Sequence, residues 1–251
     1  MADEILYSVH GSVALLQLNT PPVNLQTLSS MRLLDTLIDC ADRDRAVRAL
    51  VLSGEGGRVF SAGSDIKEFP HLRGNFVEEK LRFENQVFDR LSQLRVPTVA
   101  ALTGSALGGG LELALCCDFR ILAEDAFLST PEIQLGNFPG SGGPYRLVHC
   151  VGPAFAAEMM CTGRKVWAEE ALTRGLVNAI APAQEVTALA LEWAERLAAK
   201  DPEWIEAVKE LLYASACETR AEAETHARKR FLELIGRNYV TADQMGKGTS
   251  L

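Results

Sequence analysis

The sequence has few histidines, few aromatic residues and no excess of positive charge. Its 251 residues include four histidines and 7% aromatic residues, and 33 acidic against 25 basic side chains give a formal net charge of −8. A chain with this acidic balance does not attract nucleic acid or anionic membranes nonspecifically. We therefore expect neither a nucleic-acid partner nor a membrane partner.

Cysteine pairs with the spacing of metal ligands or redox motifs are also missing. The six cysteines form no CxxC motif, and the histidines are scattered along the chain. No apolar run approaches the ~18 residues of a membrane-spanning helix. The opening residues Met-Ala-Asp-Glu have neither the basic nor the apolar region of a secretory signal. These features predict a cytoplasmic protein with free thiols and no metal site.

Strands and helices alternate through the first part of the chain. Apolar and polar residues alternate around a His-Gly turn, which predicts a hairpin of strands 5–9 and 13–18. Short apolar runs predict buried strands over 47–54 and 96–102, and helical spacing covers 78–94. The order of strand, glycine loop and helix recurs, which favours stacked β-β-α turns with right-handed crossovers.

The character of the sequence changes after residue 150. The later segments have helical spacing and are separated by glycine or proline. Residues 237–251 have little apolar periodicity, so we expect them to fray. The sequence thus predicts an α/β protein with a core over residues 1–190 and a C-terminal helical region over 191–251.

The first glycine loop is VFSAGSDIKEF, residues 59–69. Ala62, Gly63 and Ser64 leave the backbone bare enough to approach a ligand and to direct N–H groups at it. Asp65 followed three residues later by Glu68 is typical of a capping box that opens a helix. The loop is equally consistent with an ordinary strand-to-helix turn capped by Asp65.

The second glycine loop is GSALGGGLE, residues 104–112, and it leads into a short helix that is apolar on nearly every face. No GK[ST] follows, so it is not a phosphate-binding P-loop. Glu112 lies in this helix, although burying an unpaired carboxylate costs several kcal/mol or neutralises it. The three glycines are consistent either with close packing of the helix against a strand or with an anion site at the helix N-terminus, and the buried acid favours the second.

A second candidate acid follows in STPEIQLGNFPGSGG, residues 129–143. Glu132 lies between apolar neighbours and precedes another glycine-rich turn. It is either a solvated loop acid or a partner of Glu112, because two carboxyl groups from different elements can divide the acid and base roles.

Three segments closely resemble the crotonase (enoyl-CoA hydratase/isomerase) superfamily, and the resemblance extends from about residue 5 to residue 235. The segments are FSAGSDIKEF, ALGGGLELALCCDFRILAEDAFLSTPEIQLGNFPGSGGPYRL and MCTGRKVWAEEALTRGLVNAIAP. The resemblance implies a crotonase-like spiral of β-β-α repeats and a C-terminal α-helical trimerisation region, with trimers often stacked into hexamers. It also implies an acyl-CoA thioester substrate. Coenzyme A is part of that substrate, so no separate cofactor is expected.

The resemblance also implies roles for four residues. The backbone N–H groups of Ser64 and Gly109 would form the oxyanion hole that holds the thioester oxygen. Glu112 would act as the base toward a water molecule, and Glu132 would deliver a proton to the α-carbon.

Substrate-binding positions are likewise implied by the resemblance. Ala62, Gly63, Asp65 and Ile66 are expected to line the path of coenzyme A through main-chain contacts, and Gly108 is expected to bind substrate. Pocket residues from 65–90 and 135–145 are expected to favour short or medium acyl chains.

The paired glutamates favour an enoyl-CoA hydratase that adds water syn across a trans-2-enoyl-CoA. A Δ3,Δ2-enoyl-CoA isomerase or a carnitinyl-CoA-type dehydratase remains an alternative, because NTPPVNLQTL (19–28) resembles the isomerase branch equally well. Pro144 and Tyr145 also replace the Thr-Gln pair of many hydratases. A non-catalytic scaffold or an RNA-binding member is disfavoured by the two acids and by the net charge.

Overall fold

The computed structural model describes residues 3–72, 75 and 77–239. The strands belong to two sheets. They are β1 Ile5–His10, β2 Val13–Leu18, β3 Ala49–Gly54, β4 Val59–Ser61, β5 Thr98–Leu102, β6 Ser105–Leu107, β7 Phe119–Ala123, β8 Phe127–Ser129, β9 Val166–Trp167 and β10 Ala179–Ala181.

Helices connect the strands and complete the chain. They are α1 Leu28–Arg43, α2 Phe69–Leu72, α3 Arg82–Ser92, α4 Gly109–Ala114, α5 Gly143–Val151, α6 Pro153–Thr162, α7 Ala168–Thr173, α8 Val186–Ala198, α9 Pro202–Cys217 and α10 Arg220–Tyr239. Two 3-10 turns, Ile66–Glu68 and Pro131–Leu135, and one π-helical turn, Val77–Leu81, lie near the candidate site. None of the helices described is long and apolar enough to cross a membrane.

The connections between the sheets confirm the predicted spiral. One sheet has the order β1-β2-β3-β5-β7-β10 and the other β4-β6-β8-β9. The successive pairs β3/β4, β5/β6 and β7/β8 each give one strand to each sheet, so every turn of the chain adds a layer. Within each sheet the strands from successive turns pair in parallel. The predicted hairpin of β1 and β2 is antiparallel, as expected.

Continuous burial explains the apolar strands of the larger sheet. Every residue of β3 and β5 is buried, as is usual for parallel strands that are covered on both faces. Helix α8 packs on these two strands. Its buried face carries the small residues Ala190, Ala194 and Ala198, which let the helix lie close to the sheet.

The chain divides into two compact units, Met1–Ala199 and Lys200–Leu251. Helices α9 and α10 belong to the second unit. Helix α9 begins at Pro202, and the Asp201 side chain accepts a hydrogen bond from the Glu203 amide, which is an ordinary N-cap. The predicted boundary between residues 190 and 191 lies within α8 and stays a prediction. Residues 240–251, part of the segment expected to fray, lie outside the described residues.

The helix predicted over 78–94 differs from the structure. A π-helical turn, Val77–Leu81, precedes α3, and α3 itself ends at Ser92. The spacing of apolar residues does not reveal a π turn. Such a turn widens the backbone hydrogen-bond spacing to five residues, and it requires no particular residue type. Such turns are frequent at functional sites, and this one lies beside the cavity described below.

Candidate active site

A cavity of about 500 Å³ opens where both glycine loops meet in the first unit. Ser64 follows β4 and Gly109 follows β6, and these two strands are neighbours in the smaller sheet. Glu112 comes from α4 and Glu132 from the 3-10 turn after β8. The apolar part of the lining consists of Ile66, Phe69, Leu81, Pro131, Leu135 and Phe138.

The N–H groups of Ser64 and Gly109 are available to a ligand. Gln26 forms a parallel bridge with Ser64, in which the Gln26 amide donates to the Gly63 carbonyl and the Asp65 amide donates to the Gln26 carbonyl. The N–H of Ser64 therefore points away from Gln26. Gly109 is the first residue of α4, so its N–H has no partner within the helix. A Cβ built on Gly109 would lie 3.4 Å from the Ser64 nitrogen, which places the two donors side by side.

The buried acid of α4 is held by backbone donors. Glu112 is 3% exposed, and its Oε1 accepts from the amides of Ser141 at 2.8 Å and Gly143 at 2.7 Å. A side chain at position 143 is excluded, because its Cβ would lie 2.8 Å from that oxygen. Burial raises the pKa of Glu112 to about 7, the two amides oppose the rise, and the charge of Glu132 adds to it. The group is thus poised to exchange a proton near neutrality.

Glu132 is half-buried and lies over the bare backbone of Gly108. A Cβ on Gly108 would lie 2.8 Å from Glu132 Oε1, and Gly108 has a positive φ of 52°. The Glu132 Oε2 atom has no hydrogen-bond partner among the described residues. Burial raises the pKa of this carboxyl group. An acid with a free oxygen and a raised pKa can hold and release a proton.

A third acid, Glu84, also lines the cavity and was missed by sequence analysis. Glu84 is 2% exposed and forms a salt bridge of 3.1 Å with Lys80, which is fully buried. In the sequence the two residues look like an ordinary exposed i,i+4 pair on a helix. The contacts that bury them come from distant segments, so no local signal was available.

The cavity brings together most of the predicted site residues. Those that line it are Ala62, Ser64, Ile66, Gly108, Gly109, Glu112 and Glu132. Gly63 and Asp65 do not line it: Gly63 lies behind the Gly109 amide, and the Asp65 carboxylate accepts from the Lys67 amide.

Asp65 caps the 3-10 turn Ile66–Glu68 through the Lys67 amide, which confirms the simpler of the two interpretations, but the reciprocal bond from Glu68 that a capping box requires does not form. The Asp65 amide donates to the Gln26 carbonyl, so it does not bind the Glu68 side chain. Glu68 instead accepts from the Leu28 amide and from Lys80, at 3.0 and 3.1 Å. The charged lysine and the first turn of α1 hold this carboxylate more strongly than the amide three residues back.

Among the described residues, no cysteine or histidine lines the cavity. None of the six cysteines forms a disulfide, and Cys116 and Cys117 are buried directly after α4. Within residues 3–72, 75 and 77–239 no group of three or more His, Cys, Asp or Glu side chains is arranged to hold a metal ion.

The sequence matches a model of the enoyl-CoA hydratase/isomerase family over residues 8–246. The chain belongs to this family, and it is an enzyme. It is 42% identical over 218 residues to a probable enoyl-CoA hydratase of Bacillus subtilis, covering 85% of this chain and 83% of that one. It is 34% identical over 230 residues to the mitochondrial enoyl-CoA hydratase of Pongo abelii, covering 91% and 78%.

Solved structures share the fold over nearly the whole chain. DspI of Pseudomonas aeruginosa superposes with a TM-score of 0.90 at 32% identity, covering 99% of this chain and 96% of that one. An enoyl-CoA hydratase of Bacillus anthracis superposes with a TM-score of 0.88 at 29% identity, covering 96% and 97%. The crotonase-like spiral expected from the sequence is therefore the fold of this chain.

Proposed function

We propose that the protein is an enoyl-CoA hydratase, which adds water syn across a trans-2-enoyl-CoA to give a 3-hydroxyacyl-CoA in fatty acid or related acyl-CoA metabolism. One observation carries the proposal: Glu112 and Glu132 line the same cavity as the free amides of Ser64 and Gly109. The relatives that are named as hydratases support it.

The two amides would bind the thioester oxygen. Attack of water on the β-carbon moves negative charge onto this oxygen, and the N–H groups of Ser64 and Gly109 would stabilise the resulting enolate. One such preorganised donor contributes roughly 3–4 kcal/mol to lowering the barrier. No cofactor is needed for this step, because coenzyme A is part of the substrate.

The two carboxyl groups would share the proton transfers. Glu112 takes a proton from the water as its oxygen bonds to the β-carbon, and protonated Glu132 gives a proton to the α-carbon. Burial raises the pKa of both carboxyl groups, which favours the retention of a proton by the pair. A proton returned from Glu112 to Glu132 through solvent restores the starting state.

The remaining predicted residues would bind the rest of the substrate. Ala62, Ile66 and Gly108 line the cavity, where coenzyme A would enter, and the backbone of Gly63 and Asp65 would border its path. The cavity of about 500 Å³ must also hold the thioester and part of the pantetheine arm. This requirement favours a short or medium acyl chain.

Assembly and location form the last part of the proposal. Helices α9 and α10 would build a homotrimer, or a dimer of trimers, because they carry exposed apolar residues such as Leu212 and Leu232. We place the enzyme in the cytoplasm, a reducing compartment in which the thiol groups of its six cysteines do not pair as disulfides.

The test is the loss of the conjugated-thioester absorbance when the protein is mixed with crotonyl-CoA. Hydration removes the conjugation, and the product should be the 3-hydroxy ester, identified by mass and chirality. A 3-enoyl-CoA and carnitinyl-CoA complete the panel. Turnover confined to the 3-enoyl ester would replace the hydratase with an isomerase, and turnover confined to carnitinyl-CoA would replace it with a dehydratase.

A further inference from the structure

A buried pair of opposite charges, Lys80 and Glu84, lies at the wall of the cavity, which Glu84 lines. The Lys80 ammonium group is held by Glu84 Oε1 and Glu68 Oε2, both at 3.1 Å, and by the Gln26 carbonyl at 3.0 Å. Lys80 is fully buried and Glu84 is 2% exposed. Burying such a pair often fails to stabilise a fold relative to apolar residues of the same size, so stability alone does not account for it.

The two carboxylate oxygens of Glu84 accept hydrogen bonds from two separate segments of the candidate site. The Ser64 hydroxyl donates to Oε1 and the Ser141 hydroxyl donates to Oε2, each at 3.0 Å. Ser64 carries one of the two amides that face the cavity. Ser141 carries an amide that donates to Glu112. The Glu84 carboxylate thus links Ser64, whose amide is the candidate oxyanion donor, to Ser141, whose amide holds the candidate base Glu112.

Lys80 also holds the backbone segment that contains Ser64, through the Gln26 carbonyl. The Gln26 carbonyl that it binds also accepts the Asp65 amide, and the Gln26 amide binds the Gly63 carbonyl. These two bonds enclose Ser64. The lysine therefore orients Glu84 and holds the backbone segment whose N–H faces the cavity.

We propose that Glu84, oriented by Lys80, is a positioning residue that keeps the Ser64 amide and Glu112 in register for the reaction. This inference rests on the proposed function for the roles of Ser64 and Glu112. Glu84 is not assigned a proton-transfer step, because both of its oxygens already accept hydrogen bonds from groups of the protein.

The pH dependence of the rate should respond to the charge of Glu84, and a purely structural role of Glu84 would leave that pH dependence unchanged. Glu112 faces Glu132 from the 3-10 turn, Glu84 from α3 and Arg146 from α5, together with Cys116 on its own segment. Glu84 contributes to raising the pKa of Glu112. Its removal should therefore shift the acid limb of the rate profile to lower pH.

The experiment compares Glu84→Gln with Glu68→Gln on the substrate that the unaltered protein turns over. Both changes remove one carboxylate from Lys80, but Glu68 contacts neither serine. Glu84→Gln should lower kcat about 10- to 100-fold with little change in KM and should shift the acid limb. Glu68→Gln should retain kcat and the pH profile. Equal effects of the two variants, or an unchanged kcat in Glu84→Gln, would overturn the proposal.

A double variant covers the case in which Glu84→Gln does not fold. Ser64→Ala with Ser141→Ala removes both hydroxyl links and leaves the buried ion pair intact. It should lower kcat as Glu84→Gln does, without moving the acid limb, and a wild-type kcat would count against positioning through the serines.

A separate measurement distinguishes failure of the hydratase proposal from failure of the inference about Glu84. If the unaltered protein turns over no thioester of the panel, the hydratase proposal falls. The titration of the Glu112 carboxyl carbon by NMR still tests the coupling, since it needs no turnover. A pKa that is the same in Glu84→Gln as in the unaltered chain would then remove this inference as well.

Discussion

A Cβ atom on Gly63 would lie 2.8 Å from the amide nitrogen of Gly109. The two glycines belong to different turns of the spiral, and their close approach sets the position of the Gly109 N–H beside that of Ser64. Gly63 also has a positive φ of 83°. Glycine at position 63 is therefore required both by the backbone conformation and by the lack of space beside the Gly109 amide.

Gly63→Ala is expected to lower kcat about 10²- to 10³-fold, because the new methyl group displaces one oxyanion donor. Gly57→Ala is the matched control: Gly57 also has a positive φ, of 72°, but its Cβ would meet no atom within 4 Å. Steady-state kinetics on crotonyl-CoA measures both. An equal loss in the two variants would assign the effect to backbone strain.

Glu112→Gln and Glu132→Gln are each expected to lower hydration about 10²- to 10⁴-fold while binding of the thioester survives. Each change keeps the size of the side chain and removes its proton exchange. The measurements are turnover and the affinity for a non-reactive acyl-CoA analogue. Near-normal turnover in either variant would contradict the two-glutamate mechanism, and tolerance of Glu112→Gln alone would favour the isomerase.

The stability of the protein should depend on pH through Glu112. Its pKa is about 7 in the folded chain, against an ordinary value of 4.5, so the unfolded chain loses this proton first as the pH rises. Stability from this group therefore falls as pH rises from 4.5 to 7, by about 3 kcal/mol. Glu112→Gln does not titrate, so its stability relative to the unaltered protein should increase over the same range. Urea unfolding at pH 5 and pH 8 measures the difference, and parallel changes in both proteins would refute it.

The acyl pocket should accept short or medium chains best. Each methylene that an apolar pocket accepts contributes only ~1–3 kcal/mol, so the preference among crotonyl-, octenoyl- and hexadecenoyl-CoA should be graded. A Cβ on Gly140 would lie 2.8 Å from Leu81 Cδ1, so Gly140→Val should narrow the cavity and strengthen the preference for crotonyl-CoA. Highest kcat/KM on the sixteen-carbon ester would overturn the expected chain length.

The second unit should mediate assembly into a trimer or hexamer. Leu212 on α9 is 65% exposed and Leu232 on α10 is 62% exposed. Leu212→Glu should dissociate the oligomer in sedimentation at micromolar concentration. Val9→Glu, on an exposed position of β1, is the control and should leave it intact. A stable monomer of the unaltered protein would exclude this assembly.

The sequence predicted the elements that depend on local pattern. Alternation placed the β1/β2 hairpin, continuous apolar runs placed β3 and β5, and the two glycine loops marked where the backbone borders the cavity. The resemblance of those loops to a known family added the roles of Ser64, Gly109, Glu112 and Glu132. The strands and the hairpin were predictable because period, composition and short motifs are properties of neighbouring residues. The four residue roles stay predictions.

Other features were decided only by the tertiary structure. Glu112 accepts hydrogen bonds from amides 29 and 31 residues away, and Glu84 accepts one from a hydroxyl 57 residues away. Neither set of hydrogen bonds produces a pattern in the local sequence. The Asp65–Glu68 capping box, a plausible local motif, does not form because Lys80 and α1 compete for Glu68. Local sequence states which hydrogen bonds a side chain is able to make, but the fold decides which partners are near enough and buried enough to make them.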